Sequence, residues 1–173
     1  MTQPTQSTAA APAKEATAAP IKPGGPGDTW VQAVGDDGSG HPLIHSLRNH
    51  ALELPGRDRF RWRIGVTWRF PHALANGMPG PQDRLPMNAV DDAIHEIFEH
   101  DDANRIVYFT TGGGMREVML YGSDEAAAWE RFEALKKRFP DLFPGNRTQW
   151  AYVQPDPEWH GYDAAVNAMR AAQ

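Results

Sequence analysis

Between Phe60 and Phe70 the chain reads FRWRIGVTWRF, with Phe60, Trp62, Ile64, Val66, Trp68 and Phe70 at every even position and Arg61, Arg63, Gly65, Thr67 and Arg69 between them. A period of two is the signature of a β-strand with one buried face. A register slip of one residue would move all six apolar side chains into water, so the pairing of this strand is strongly specified. Their burial contributes on the order of 10 kcal/mol, at roughly 1.5–3 kcal/mol each before entropy is subtracted. The even side chains are expected to lie under helices. The arginines then point to the second face of the sheet, where no helix of the core pattern is expected.

The segments on either side follow from their punctuation. TWVQAV (29–34) and HPLIHSLRN (41–49) read as strands joined by the turn GDDGSG. The loop 71–86, PHALANGMPGPQDRLP, is long for a compact domain, a property associated with function. MNAVDDAIHEIFEH (87–100) switches to helical spacing, with Val90, Ile94, Ile97 and Phe98 on one side. NRIVYFTT and MREVMLYG are two strands around Gly112, Gly113 and Gly114. Ser123 is the expected N-cap of a second helix that Pro140 ends, with Ala128, Phe132, Leu135 and Phe139 inside and Lys136, Lys137 and Arg138 in its last turn. RTQWAYV is a final strand, and Asp156 with Pro157 starts a C-terminal helix. The middle six elements, β-α-β-β-α-β, have the ferredoxin-like pattern. The expected fold is α+β: a two-layer sandwich, an antiparallel sheet with helices on one face, an N-terminal hairpin and an added C-terminal helix.

Residues 1–28 are rich in Ala, Pro and Thr and nearly free of large apolar side chains. Such a segment cannot bury enough surface to offset its ordering entropy, so it is expected to be a disordered tail before a single domain at 29–173. Its start lacks the basic residues and leucine-rich core of a secretory signal. No run approaches the roughly 18 apolar residues of a membrane span. A cytoplasmic protein is expected. The 173 residues include no cysteine, which excludes disulfides and thiolate chemistry.

The formal net charge of −5 argues against nucleic-acid binding by the whole molecule. The charge is uneven along the chain. Residues 57–69 hold five arginines against one aspartate, and 87–102 hold six acidic residues without a Lys or Arg. Two readings follow for Arg61, Arg63 and Arg69. They solvate a sheet face and pair with acids such as Glu117 on neighbouring strands, or they form a platform for an acidic protein partner or a second copy of the chain.

Catalytic constellations are scarce. His95 stands four residues from both Asp91 and Glu99, a ligand spacing, yet zinc needs three or four convergent ligands and HEIFEH departs from H-E-x-x-H. The helix face it occupies reads as solvated and acidic. His45 and Ser46 are adjacent in a strand and point to opposite faces, so they form no dyad. No nucleophile elbow, Walker loop or dinucleotide fingerprint is present. No metal, cofactor or catalytic set is therefore assigned. A sheet that stacks RNA bases would need exposed aromatics, and the rings of 60–70 are committed to the core.

The opening strand at Trp30, VTWRF, NGMP at 76–79, TTGGGMREVMLYG at 110–122 and DPEWHGY at 156–162 together resemble a bacterial family, number 695 of the domains of unknown function. The resemblance covers about residues 29–170. It implies a ferredoxin-like α+β domain with no assigned reaction. Some members are joined to a domain similar to the ribonuclease E regulator called regulator B, which implies a protein-binding or regulatory role. Asn76, Gly77, Met78 and Pro79 have no evident packing demand and are candidate contacts. The expected function is a non-enzymatic interaction module contacting a protein through Arg61, Arg63, Arg69 and this loop. A small-ligand or metal-binding protein or enzyme using loop 71–86 is the second reading, and an RNA-binding domain the third.

Overall fold

The computed structural model describes residues 29–49, 51–53 and 56–172, so the expected tail at 1–28 lies outside the described residues. Six strands form one sheet: β1 (Trp30–Asp36), β2 (Pro42–Arg48), β3 (Trp62–Arg69), β4 (Asn104–Gly112), β5 (Met115–Gly122) and β6 (Ala151–Pro155). Their spatial order is β1-β2-β4-β5-β3-β6, and every neighbouring pair is antiparallel. Three helices complete the fold: α1 (Arg84–Phe98), α2 (Glu125–Arg138) and α3 (His160–Ala171). The expected α+β class holds.

The even face of β3 lies where its pattern placed it. Trp62, Ile64, Val66 and Trp68 join a core with Val90, Ile94 and Phe98 of α1 and Phe132 and Leu135 of α2. Phe60 does not follow them. It precedes the strand and is buried in a separate core on the opposite face, with Tyr121, Trp159, Tyr162 and Met169. That second core is built by α3, which packs over β1, β2 and β4. The expectation of helices on one face therefore fails over this half of the sheet. The strands carry the reason: in β5, Val118 and Leu120 face α1 and α2, while Met119 and Tyr121 face α3. A run of consecutive apolar residues is what a strand covered on both faces requires.

Several boundaries also differ. Helix α1 begins at Arg84 and takes Pro86 into its first turn, where the missing N–H has no helical partner to lose, so the preceding loop is shorter than expected. Asp124, not Ser123, caps α2 by accepting from the Ala127 N–H at 2.9 Å. Residues Arg147–Gln149 form a 3-10 turn, leaving a β6 of five residues. Helix α3 starts at His160, with Pro157 in the turn before it. Asp156 still serves as the cap, reaching forward to accept from His160 N at 2.9 Å and Gly161 N at 2.8 Å.

Candidate functional site

The candidate residues fall at two ends of β3. At one end, Arg69 leads into the loop carrying Asn76, Gly77, Met78 and Pro79. This loop is tightly organised. Leu74 N–H donates to the Met78 carbonyl and Gly77 N–H to the Leu74 carbonyl, both at 2.8 Å, while Asn76 Oδ1 accepts from Met78 N at 3.2 Å. The buried Asp83 carboxylate closes the loop, accepting from His72 N at 3.1 Å and Gly80 N at 2.9 Å.

The loop is also docked on the β4–β5 turn. Gly114 N–H donates to the Gly77 carbonyl at 2.8 Å, and Gly114 in turn accepts from Phe70 N at 2.8 Å. Gly77 has φ +75°, and a Cβ there would stand 2.8 Å from the Gly113 nitrogen. NGMP thus has a packing demand that sequence reasoning missed: its glycine meets the triple glycine of the turn, which lies more than thirty residues further along the chain. Met78 is half-buried rather than exposed.

Beside this assembly is a cleft of about 380 Å³, bordered by Trp68, Arg69, Phe70, Met115, Leu142 and Trp150 among others. It exists because β6 is short. The β3–β6 ladder ends at Val66 and Ala151, with one further bond from Thr67 N to the Trp150 carbonyl at 2.8 Å. Trp150 then turns away into the 3-10 segment. Its indole N–H is buried and has no partner among the described residues. Arg69 is exposed and has no ion pair among the described residues.

Arg61 and Arg63 stand at the other end, roughly 20–26 Å along the strand from Arg69 at about 3.3 Å per residue. Arg61 is exposed, but Arg63 is half-buried. Its guanidinium lies 5.7 Å from the Tyr152 ring centroid, and with the Gln154 amide turned oxygen-first it donates to that oxygen from Nε at 2.7 Å. It also packs against Gly161 at the start of α3, where any Cβ would collide with it. Tyr152 itself covers Gly65, which is why β3 carries a glycine at that point. Burial, with the Glu117 carboxylate next, pushes the Tyr152 hydroxyl up to about 12. Arg57 and Arg59 are engaged as well, over the rings of Trp159 and Phe60 at 5.4 and 4.9 Å.

Five of the six acids in the acidic run are likewise occupied. Asp91 is bidentate with Arg116 at 2.9 and 2.7 Å, Glu96 meets Arg138, Asp101 meets Arg131, and Asp102 meets Arg105. Glu99 accepts from Arg48 at 2.6 Å, His95 at 2.9 Å and Ile106 N at 2.9 Å. Burial would raise the Glu99 carboxyl, but the bonds from His95 and Arg48 win and hold it at about 2. The helix face expected to be solvated is therefore docked on β2, β4 and β5. Among the described residues no three His, Asp or Glu side chains form a group that could hold a metal ion.

The glycine turn, NGMP and DPEWHGY are each accounted for by these contacts. Residues 29–164 match the model of a family described as a family of unknown function, DUF695. The chain belongs to that family. No curated protein and no solved structure matches it. Within this DUF695 domain no helix of the described residues is long and apolar enough to cross a membrane.

Proposed function

We propose that this chain is a protein-interaction module whose contact surface is the sheet end formed by Arg69, the loop Asn76–Gly77–Met78–Pro79 and the β4–β5 turn. The observation that carries the reading is the hydrogen-bonded union of that loop with the glycine turn beside a cleft bordered by the exposed Arg69. An apolar wall beside the exposed guanidinium of Arg69, which has no ion pair among the described residues, suits an acidic segment of a partner. The uneven charge of the sequence does not carry it, because five of the six acids are ion-paired within the fold and Arg57, Arg59 and Arg63 lie against its aromatic rings. Arg63, Arg57 and Arg59 serve internal packing in this reading, and Arg61 is a peripheral contact.

The finer fold belongs to the same proposal. The β3-α1-β4-β5-α2-β6 unit is read as a ferredoxin-like sandwich, extended by the β1–β2 hairpin and backed by α3. Its support is the order β6-β3-β5-β4 with α1 and α2 on one face. We extend the proposal to a distant likeness to regulators of ribonuclease E, with the protein partner to be sought in the cytoplasm.

Chemical crosslinking of the tagged domain in cells tests the surface. Partner recovery is expected to fall at least fivefold for Arg69→Glu and to change little for Arg61→Glu; equal recovery from wild type and Arg69→Glu would refute the assignment. A second reading, a small-molecule site, is favoured by the cleft volume, which lies at the lower end of the range for ligand pockets. A compound that raises the melting temperature of wild type but not of Arg69→Gln would support it.

A further inference from the structure

The cleft has a property that its volume does not convey. In an antiparallel ladder, alternate residues of a strand turn both backbone groups to the same neighbour. In β3 the even residues face β5, as the bond from Phe70 N to the Gly114 carbonyl requires. The odd residues face β6, as Thr67 N to the Trp150 carbonyl requires. Beyond that bond β6 is gone, and Trp150 N–H is committed to the Arg147 carbonyl at 3.1 Å. The Thr67 carbonyl, the Arg69 N–H and the Arg69 carbonyl are therefore left along the cleft with no strand opposite among the described residues. Pro71 ends the series, since it has no N–H to continue the ladder.

We infer that the cleft takes an extended, acidic peptide segment of a partner protein, which pairs with Thr67 and Arg69 in the place that β6 vacates. This rests on the interaction reading above and specifies its mode. An acceptor, a donor and an acceptor in strand spacing match the backbone of a peptide laid alongside, which is the basis of recognition by strand addition. The apolar wall of Phe70, Leu142 and Trp150 receives a side chain of the incoming segment. The Arg69 guanidinium selects a carboxylate near it. Asp141, also on the border of the cleft, has the opposite preference and sets the direction in which an acidic segment can lie. The free edge spans about four residues, roughly 13 Å, so the paired segment is short.

The test uses the wild-type domain and heptapeptides selected on it from a phage-displayed random library, resynthesised with a fluorophore and titrated by polarisation. The selected sequences are expected to share an acidic residue. Methylating the peptide nitrogen that faces β3 is expected to abolish binding, while methylating the next nitrogen, which points away, changes it less than threefold. Arg69→Gln is expected to weaken binding at least tenfold and Arg61→Gln less than twofold. Peptides that need Arg69 yet tolerate every N-methylation would overturn strand addition and leave the interaction surface standing. Failure to select any peptide, or binding indifferent to both changes, would overturn the inference and count against the surface itself.

Discussion

Trp159 holds a left-handed backbone, φ +64°, which side chains other than glycine adopt at a cost of about 1–3 kcal/mol. What sustains it is visible around the ring. The indole stacks on Tyr121 at 4.0 Å between centroids and 4° between planes, and its N–H donates to the Phe60 carbonyl at 2.9 Å. Tyr121 in turn donates to Asp156 at 2.7 Å, so Asp156, Tyr121 and Trp159 define the start of α3 together. Gly77 is the converse case, a position where the backbone conformation and the close approach of Gly113 both demand the absence of a side chain. Gly77→Ala is expected to lower stability by about 1–3 kcal/mol, read as a lower urea midpoint with an unchanged slope. A midpoint equal to wild type would mean that the loop is not docked on the glycine turn.

At the scale of elements, α3 is the piece that converts a one-faced sheet into one covered on both sides. Its anchors are Trp159, fully buried, and Tyr162, whose hydroxyl donates to the Arg48 carbonyl at 3.0 Å. Trp159→Ala is expected to cost about 3–5 kcal/mol, the range for deleting a large buried aromatic. Limited proteolysis should then cut within 156–172 before any other described segment. Cleavage elsewhere first would show that α3 does not depend on this ring. The second covered face was legible in VMLYG and RIVYF, where apolar residues run without alternation, whereas the odd residues of β3 meet the Tyr152 ring at Gly65 and the start of α3 at Arg63. The alternation of β3 is a property of that strand and does not extend to β4 and β5.

For the molecule as a whole, charges grouped in the sequence are dispersed in space. The acidic run of α1 and the residues after it meets Arg48, Arg105, Arg116, Arg131 and Arg138, all drawn from other elements or the following strand. Glu99 is the pair with the clearest consequence for stability. Its carboxyl is pulled from an ordinary 4.5 to about 2, so the folded state binds fewer protons than the unfolded chain between those values. The stabilisation, on the order of 3 kcal/mol, is fully present above about pH 5 and is lost as pH falls toward 2. Asp156 acts in the same direction: burial opposes its ionisation, and the bonds from Tyr121, Gly161 and His160 prevail. Urea denaturation from pH 6 to pH 3 is expected to show a falling midpoint. Glu99→Gln should flatten that fall and reduce stability at pH 7 by on the order of 3 kcal/mol, the contribution of the shifted carboxyl. A variant with the slope of wild type would remove Glu99 from the acid transition.

The amino-acid pattern alone determined the elements, the register of β3 and the faces of α1 and α2, because hydrophobic spacing and helix capping are local and repeat along the chain. It also marked NGMP and the glycine turn as unusual, without joining them. Only the tertiary structure decided that these two segments bond to each other, that α3 covers the second face, and that Arg63 is half-buried against Tyr152 and Gly161 while Arg69 is exposed beyond the end of the β3–β6 ladder. Those outcomes depend on contacts between residues tens of positions apart, and no local period records which distant segment will stop short and which will arrive.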